Sequence, residues 1–371
     1  AMTHKAAKVV SDITYREVLT VHKLFALKPT VDRRGKEIIK QLKSPKINYG
    51  ATVIIDESSM INEQMLKVLA TTAKNKALNL VFVGDPYQLP PTKGTCTLFD
   101  GSLPTYTLTK VHRQALGNPI LAKAIEYRDF INGTRDTEPT LTTVLNSKGE
   151  GIHVLDREEF YKRFVSKYID YTAGDDVNCP LCCFTNAASI KYNDLIRKAT
   201  NMLSDQLLPY YPNERMISNS SVIRDGKIAL NNNEECNIIS YSPTTISCGR
   251  CELLVYEVRL KRINRPKKGS AITTVYCAQS DENKKTYMKA LKNRVKNPND
   301  YFFWNDYYDE MSSIADLRLP FAGTTHKAQG STFESIFVDK KNIDTCKSPI
   351  TRAKLMYVAL TRSKKDTYIH A

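Results

Sequence analysis

Two stretches of the sequence, Val53-Ile54-Ile55-Asp56-Glu57 and Leu80-Val81-Phe82-Val83-Gly84-Asp85, share one pattern. Each is a short apolar run rich in β-branched residues that ends on a carboxylate. Unbroken apolar runs suit strands buried on both faces, as in a parallel α/β sheet. Between them, Asn62–Lys74 carries Met65, Leu66, Val68 and Leu69 at helical spacing, which predicts a crossover helix. In such sheets ligands bind beyond the carboxyl ends of the strands. Asp56, Glu57 and Asp85 fall at that edge.

The same alternation continues outward. A helix is predicted over Pro119–Ile131, with Asn118 as its cap, Pro119 in its first turn and Gly133 at its stop. A second α/β set follows. Its strands are predicted at Ile152–Leu155, Pro180–Thr185, Ser335–Asp339 and Thr367–His370, and its helices at Ala187–Met202 and Ala353–Leu360. Between Ser204 and Pro320 the texture changes to strand-like pieces, such as Glu252–Arg259 and Ala271–Cys277, separated by polar turns. This predicts a small β module inserted into the second set. It carries an aromatic cluster of Tyr301, Phe302, Phe303, Trp304, Tyr307 and Tyr308. Lys28–Gln41 reads as a hairpin with a basic tip at Asp32-Arg33-Arg34-Gly35, or equally as a surface loop.

At 371 residues, with 42% hydrophobic and 25% charged, the chain fits a folded protein. At about 150 residues per domain it holds two to three. Collagen, coiled coil and wholesale disorder are excluded. No apolar run approaches the roughly 18 residues of a membrane helix, and Lys5 and Lys8 break any signal-peptide pattern at the start. The 54 basic and 39 acidic residues leave a net charge of +15. Between Lys261 and Asp300, 11 Lys/Arg against 3 Asp/Glu give +8, so over half the excess sits in one stretch. That points to a polyanionic partner, nucleic acid first, although a solvated surface reads as well for this stretch alone. Nine cysteines, an odd number, suit free thiols in a reducing compartment. The pairs Cys179/Cys182 and Cys248/Cys251 have zinc-ligand spacing. They lie too far apart for the usual site, and strand alternation turns Cys179 and Cys182 to opposite faces.

Asp56-Glu57 at a strand end is the sharpest chemical signal. In nucleotide hydrolysis such an Asp holds Mg²⁺ and such a Glu orients the attacking water. Val83-Gly84-Asp85-Pro86-Tyr87-Gln88-Leu89-Pro90-Pro91 follows the next strand and offers Gln88 to a terminal phosphate. Val111-His112-Arg113-Gln114 offers an arginine. Gly323-Thr324-Thr325-His326-Lys327-Ala328-Gln329-Gly330-Ser331-Thr332 is a loop rich in small and hydroxyl residues. Tyr357-Val358-Ala359-Leu360-Thr361-Arg362 ends a helix on an arginine.

In this order the segments resemble a superfamily 1 helicase of the 5′→3′ subgroup, that of the phage Dda, RecD and Pif-type enzymes. Ala1–Ala7 resembles motif Ia, and Thr20-Val21-His22 the short motif after it. Val53–Met60 resembles motif II, Leu80–Pro91 motif III, His112-Arg113-Gln114 motif IV, Thr324–Thr332 motif V and Met356–Arg362 motif VI. Phe184-Thr185-Asn186 is similar to a recurring piece of the second core.

The resemblance implies an α/β fold of two RecA-like parallel-sheet cores. The first, N-terminally incomplete, would span 1–27 and 42–150, and the second 151–203 and 321–371. A pin-like hairpin would occupy 28–41 and an SH3-like β module 204–320. The implied activity is ATP-dependent 5′→3′ translocation on single-stranded DNA and duplex unwinding, with ATP and Mg²⁺ as cofactors. Asp56 would hold Mg²⁺, Glu57 would activate water, and Gln88 would couple the γ-phosphate to domain closure. Arg113 and Arg362 would act as arginine fingers. Gln329 and Gly330 would join Asp56, Gln88 and Arg362 around the nucleotide. Thr3, His4, Lys5, His22, Thr325, His326 and Lys327 would contact DNA. Implied partners are single-stranded or forked DNA and other replication proteins, in the cytoplasm of a bacterial or phage-infected cell, with no membrane. Taken singly, Arg362 also reads as a helix-end cation, His326 as a packed histidine and the aromatic cluster as core.

No G-x-x-x-x-G-K-[ST] occurs in the 371 residues. The family carries that phosphate-cradling loop on the strand before motif Ia. Without it, this chain alone is expected to be ATPase-deficient. Three readings stay open: the greater part of a complete helicase, one part of a split helicase completed by another chain, or a non-catalytic DNA-binding relative. The presence of Asp56-Glu57, Gln88, Arg113 and Arg362 argues against the last, because a pure binder gains nothing from them.

Overall fold

The computed structural model describes residues 1–31, 37–91, 93–108, 118–169, 177, 180–200, 208–224, 227–248, 251–263, 271–293 and 301–371. The chain forms two compact units built from separated stretches: 1–20, 47–205 and 320–371 in one, 21–46 and 206–319 in the other. No helix among the described residues is long and apolar enough to cross a membrane.

The first unit holds both α/β sets. Its helix α1 (His4–Thr14) is capped by Thr3, whose Oγ1 accepts from the Ala6 amide at 3.1 Å. Strands β1 (Thr52–Ile55) and β2 (Asn79–Phe82) pair in parallel, with Ile55 opposite Phe82. Helix α2 (Glu63–Lys76) crosses between them and starts where Asn62 Oδ1 accepts from the Met65 amide. The apolar runs predicted burial on both faces. Among the described residues only one face is covered: Val53 and Ile55 are buried, whereas Ile54 and Val81 stand 68% and 45% exposed.

Helix α3 (Pro119–Ile131) matches its predicted bounds. Asn118 Oδ1 caps the Ile120 amide, while its Nδ2 donates to the carbonyls of Lys364 and Lys365 and ties the helix start to the last strand. The second set is a six-stranded sheet made of β3 (Val144–Leu145), β4 (Gly151–Leu155), β5 (Leu181–Cys183), β6 (Ala322–Thr324), β7 (Phe333–Asp339) and β8 (Ser363–His370). The order is β6-β5-β7-β8-β4-β3, parallel throughout except for the β3–β4 edge. All of β5 and the last four residues of β7 are buried, as strands covered on both faces must be. Helix α4 (Arg157–Ser166) places Phe160 and Phe164 edge-on against Phe337 at 5.4 and 5.2 Å, and α5 (Asn186–Thr200) sets Tyr192 edge-on against both. Short helices α6 (Thr325–Ala328) and α7 (Lys340–Ile343) follow β6 and β7. The last helix, α8 (Pro349–Leu360), is capped by Ser348 and packs on α3 in one apolar core with Ile120, Leu355 and Met356.

The second unit contains the hairpin and the β module together. Leu27–Val31 and Glu37–Gln41 pair antiparallel, with the predicted tip outside the described residues. The centre of the module is the long antiparallel pair Glu235–Cys248 and Cys251–Arg262, inside a second six-stranded sheet. Helix Tyr301–Ser313 touches strand Leu27–Val31, and Lys28 stands 4.0 Å from Asp309, so the hairpin packs with the module. About a third of the basic stretch forms helix Asp281–Asn293, which buries Tyr287 and Leu291 and carries Lys284, Lys285, Lys289 and Lys292. In the aromatic cluster Tyr307 and Tyr308 are half-buried, and Tyr307 packs on the core of the module. The side chains of Tyr301, Phe302, Phe303 and Trp304 lie outside the described residues. Cys182 is buried on β5, and Cys179 lies outside the description. Among the described residues no three His, Cys, Asp or Glu form a metal-holding group.

Candidate active site

The parallel register of β1 and β2 brings Asp56, Glu57 and Asp85 to one sheet edge. The Val83 amide donates to the Ile55 carbonyl at 2.8 Å, and the Ser58 amide returns to the Val83 carbonyl at 2.9 Å. Gly84 sits where a Cβ would stand 3.0 Å from the Ser59 amide nitrogen and from Phe99 Cζ, so a larger residue there would force the two strand-end turns to shift. Glu57 has φ 57° and ψ 42°, a left-handed backbone that costs a non-glycine residue about 1–2 kcal/mol. Strain of this kind clusters at functional positions.

The loop after β2 turns on Asp85. Its Oδ1 accepts from the Tyr87 amide at 2.9 Å, and its carbonyl accepts from the Gln88 amide at 3.2 Å. Three bonds then fasten this loop to the second set. Tyr357 Oη on α8 donates to Asp85 Oδ2 at 2.7 Å. Lys354 Nζ, one turn earlier, donates to the Pro86 carbonyl at 3.0 Å. Gln329 Nε2 donates to the Leu89 carbonyl at 3.3 Å. Leu89 is fully buried in the α3–α8 core. Burial drives the Tyr357 hydroxyl well above its ordinary range, and the Asp85 charge adds to that, so Tyr357 stays a proton donor. Lys354 is pulled below its usual value by burial. Gln88 Oε1 is buried without a partner, as is Ser331 Oγ. Unpaired buried polar atoms are costly in a closed core and fit a place that receives a polar ligand or water.

Arg362 is 1% exposed. Its guanidinium donates to the carbonyls of Val358 and Ser331 and to Thr361 Oγ1, so its position at the helix end is also a capping one. Gly330, at φ 73°, brings the loop after α6 against α1: a Cβ there would be 3.2 Å from Ala6 Cβ and 3.7 Å from Thr3 Oγ1. Thr3 is half-exposed and His4 exposed beside it. Thr325 is fully buried and gives its hydroxyl to the Cys183 carbonyl. His326 is half-buried, with its pKa lowered by desolvation, and Lys327 is half-buried next to it. His22 belongs to the second unit. Arg113 and the side chain of Lys5 lie outside the described residues.

Asn342 is a structural residue that sequence reading missed. Its Oδ1 accepts from the Phe184 and Thr185 amides, and its Nδ2 donates to Thr185 Oγ1, which fixes the turn leading into α5. Tyr357 was missed as well, since an aromatic inside an apolar helix reads as core.

Two families match this chain. The AAA domain covers residues 1–93, and the UvrD-like helicase C-terminal domain covers 320–369. The ATP-dependent DNA helicase dda of Enterobacteria phage T4 is 23% identical over 404 residues, 99% of this chain and 86% of its own length. These matches make the chain similar to superfamily 1 DNA helicases. A further helicase relative, the ATP-dependent RecD2 DNA helicase of Deinococcus radiodurans, is 35% identical over 127 residues, 33% of this chain and 16% of its own length. The uncharacterized protein R530 of Acanthamoeba polyphaga mimivirus is 23% identical over 438 residues, spanning 98% of this chain and 87% of that protein.

Proposed function

We propose that this chain carries the working parts of an ATP-driven DNA helicase that moves 5′→3′ along single-stranded DNA and opens duplexes. The observation that carries this reading is the fastening of the acidic strand-end edge of the first α/β set to the helix that Arg362 follows, through Asp85 and Tyr357. It puts carboxylates and a guanidinium on the two sides of one junction within a single compact unit. Nucleotide-driven opening and closing of such a junction is what stepping along a polymer requires.

Asp56, at the carboxyl end of β1, is the residue to hold Mg²⁺, which when bound neutralises charge on the phosphates. Glu57 orients the attacking water. Gln88 presents its unpaired Oε1 to the terminal phosphate or that water. Arg362 and Arg113 offset transition-state charge, and Gln329 and Gly330 line the nucleotide side of the junction. Thr3, His4, Lys5, Thr325, His326 and Lys327 in the first unit are the residues to contact DNA, Thr3 lying close to Gly330, and His22 is the one in the second. The two α/β sets are the RecA-like cores, Lys28–Gln41 the strand-splitting pin, and the 204–320 module the SH3-like domain. Nothing among the relatives supports a separate chain bearing the phosphate loop.

The test is ATP hydrolysis with single-stranded DNA, measured on the chain joined to a preceding strand–loop–helix that bears G-x-x-x-x-G-K-[ST]. DNA-stimulated turnover is expected there, with little from the 371 residues alone. Glu57→Gln should cut it by about 10²-fold or more; unchanged turnover overturns the role of Glu57. The net charge predicts binding that weakens steeply between about 50 and 200 mM salt.

A further inference from the structure

The residues assigned above to the terminal phosphate, Gln88 and Arg362, stand on different α/β sets, yet a short run of bonds connects them. Gln88 hangs by its amide from the Asp85 carbonyl. The Asp85 carboxylate receives the Tyr87 amide on one oxygen and the Tyr357 hydroxyl on the other. The residue after Tyr357 is Val358, whose carbonyl receives Arg362 Nε at 3.2 Å. Tyr87 lies edge-on against the Tyr357 ring, 6.4 Å between centroids, so the side-chain contact doubles the polar one.

We propose that the Tyr357–Asp85 hydrogen bond is a positioning link that couples the placement of Gln88 to that of Arg362, so that the two reach the nucleotide together. The proposal rests on the helicase reading and adds a residue pair to it. Tyr357 touches no reacting atom; it acts through Asp85 and Val358. Of the three bonds that fasten the loop, it is the one whose acceptor is a side chain, since Lys354 and Gln329 both donate to backbone carbonyls. A hydroxyl donated to a half-buried carboxylate is stronger than a neutral amide–carbonyl bond such as that of Gln329. The link transmits in both directions. Moving Gln88 toward a phosphate pulls on the Asp85 turn, and through Tyr357 on the last turn of α8. Withdrawing Arg362 from the Val358 carbonyl loosens the same turn.

The experiment uses Tyr357→Phe, which keeps the ring and its packing and removes only the hydroxyl, together with Asp85→Asn and Asp85→Ala. Two readouts are taken: amide exchange at Asp85, Tyr87 and Gln88, and DNA-stimulated hydrolysis by the loop-completed chain. Tyr357→Phe is expected to speed exchange at Tyr87 and Gln88 by about tenfold. It should also lower kcat about tenfold while the ATP KM stays within about twofold. Asp85→Asn keeps an acceptor for the hydroxyl and should recover part of kcat, whereas Asp85→Ala should not. Tyr357→Phe added to Asp85→Ala should cost nothing further, because both break one link.

Unchanged exchange in Tyr357→Phe overturns the link. Faster exchange with unchanged kcat overturns the coupling and leaves a packing contact. A matched fall in kcat and in the fraction of folded protein assigns the effect to stability and overturns it too. Absence of DNA-stimulated hydrolysis in the parent chain defeats the helicase reading itself, and the coupling with it, and is told apart by occurring before any substitution.

Discussion

Arg362 donates from Nε to the Val358 carbonyl at 3.2 Å, within the last turn of the helix it follows. Together with its bond to the Ser331 carbonyl, this makes a residue assigned to the nucleotide also a joint between α8 and the loop after α6. Arg362→Ala therefore removes a buried guanidinium and strands two carbonyls, which should destabilise the protein by about 2–4 kcal/mol. Arg362→Lys keeps the charge but cannot span both acceptors, and should recover less than half of that. Urea unfolding of the two variants checks this. A midpoint for Arg362→Ala equal to the parent's would show that the buried bonds contribute nothing.

Gly330 combines a left-handed backbone with a close approach to Ala6. Gly330→Ala is expected to cost about 1–2 kcal/mol from the backbone alone, and Ala6 must shift further to admit the methyl group. Because the displaced surface runs from Thr3 to the loop after α6, single-stranded DNA binding should weaken as well. Thermal denaturation and a DNA titration read the two effects separately. Wild-type values in both would mean that this contact is slack.

Stability should fall in acid in two steps. Burial alone would raise Glu234, but the Arg262 hydrogen bond and the Asn231 amide outweigh it and hold the carboxyl below its usual value. Asp316 is likewise pushed up by burial and brought down further by Arg318 and Asn219. A lowered carboxyl contributes stability that is present above its unfolded pKa, near 4–4.5, and is lost as the pH drops through the folded one. His326 differs. Desolvation lowers its pKa, so the unfolded chain binds a proton first, and stability declines as the pH falls below about 6.5. Urea midpoints across pH 3–8 should show both limbs, and His326→Gln should flatten only the upper one.

The strand-ends of β1 and β2, helix α2 and the whole of α3 could be read from the sequence, because apolar period, cap and stop agreed at each. Where they disagreed, the reading fell short. β8 starts at Ser363 rather than Thr367, since the exposed pair Lys364 and Lys365, both bonded to Glu334, hides a strand under charge. α8 starts at Pro349, ahead of its apolar run, because Ser348 caps it. The long strand Glu235–Cys248 is too polar to stand out alone and gains its pairing from Cys251–Arg262. At the site, Asp56, Glu57, Gln88 and Arg362 carried recognisable chemistry. Nothing local distinguished Tyr357 or Asn342, whose partners lie 272 and 157 positions away.

That separation bears on how the molecule is made. Strand β8 lies between β7 and β4, and the Gly151 amide meets Asp366 across 215 positions of sequence. In a growing chain β5 and the far edge of β4 stay unpaired until β6, β7 and β8, made much later, arrive to cover them. That strand order makes for slow folding and for apolar edges left open during synthesis.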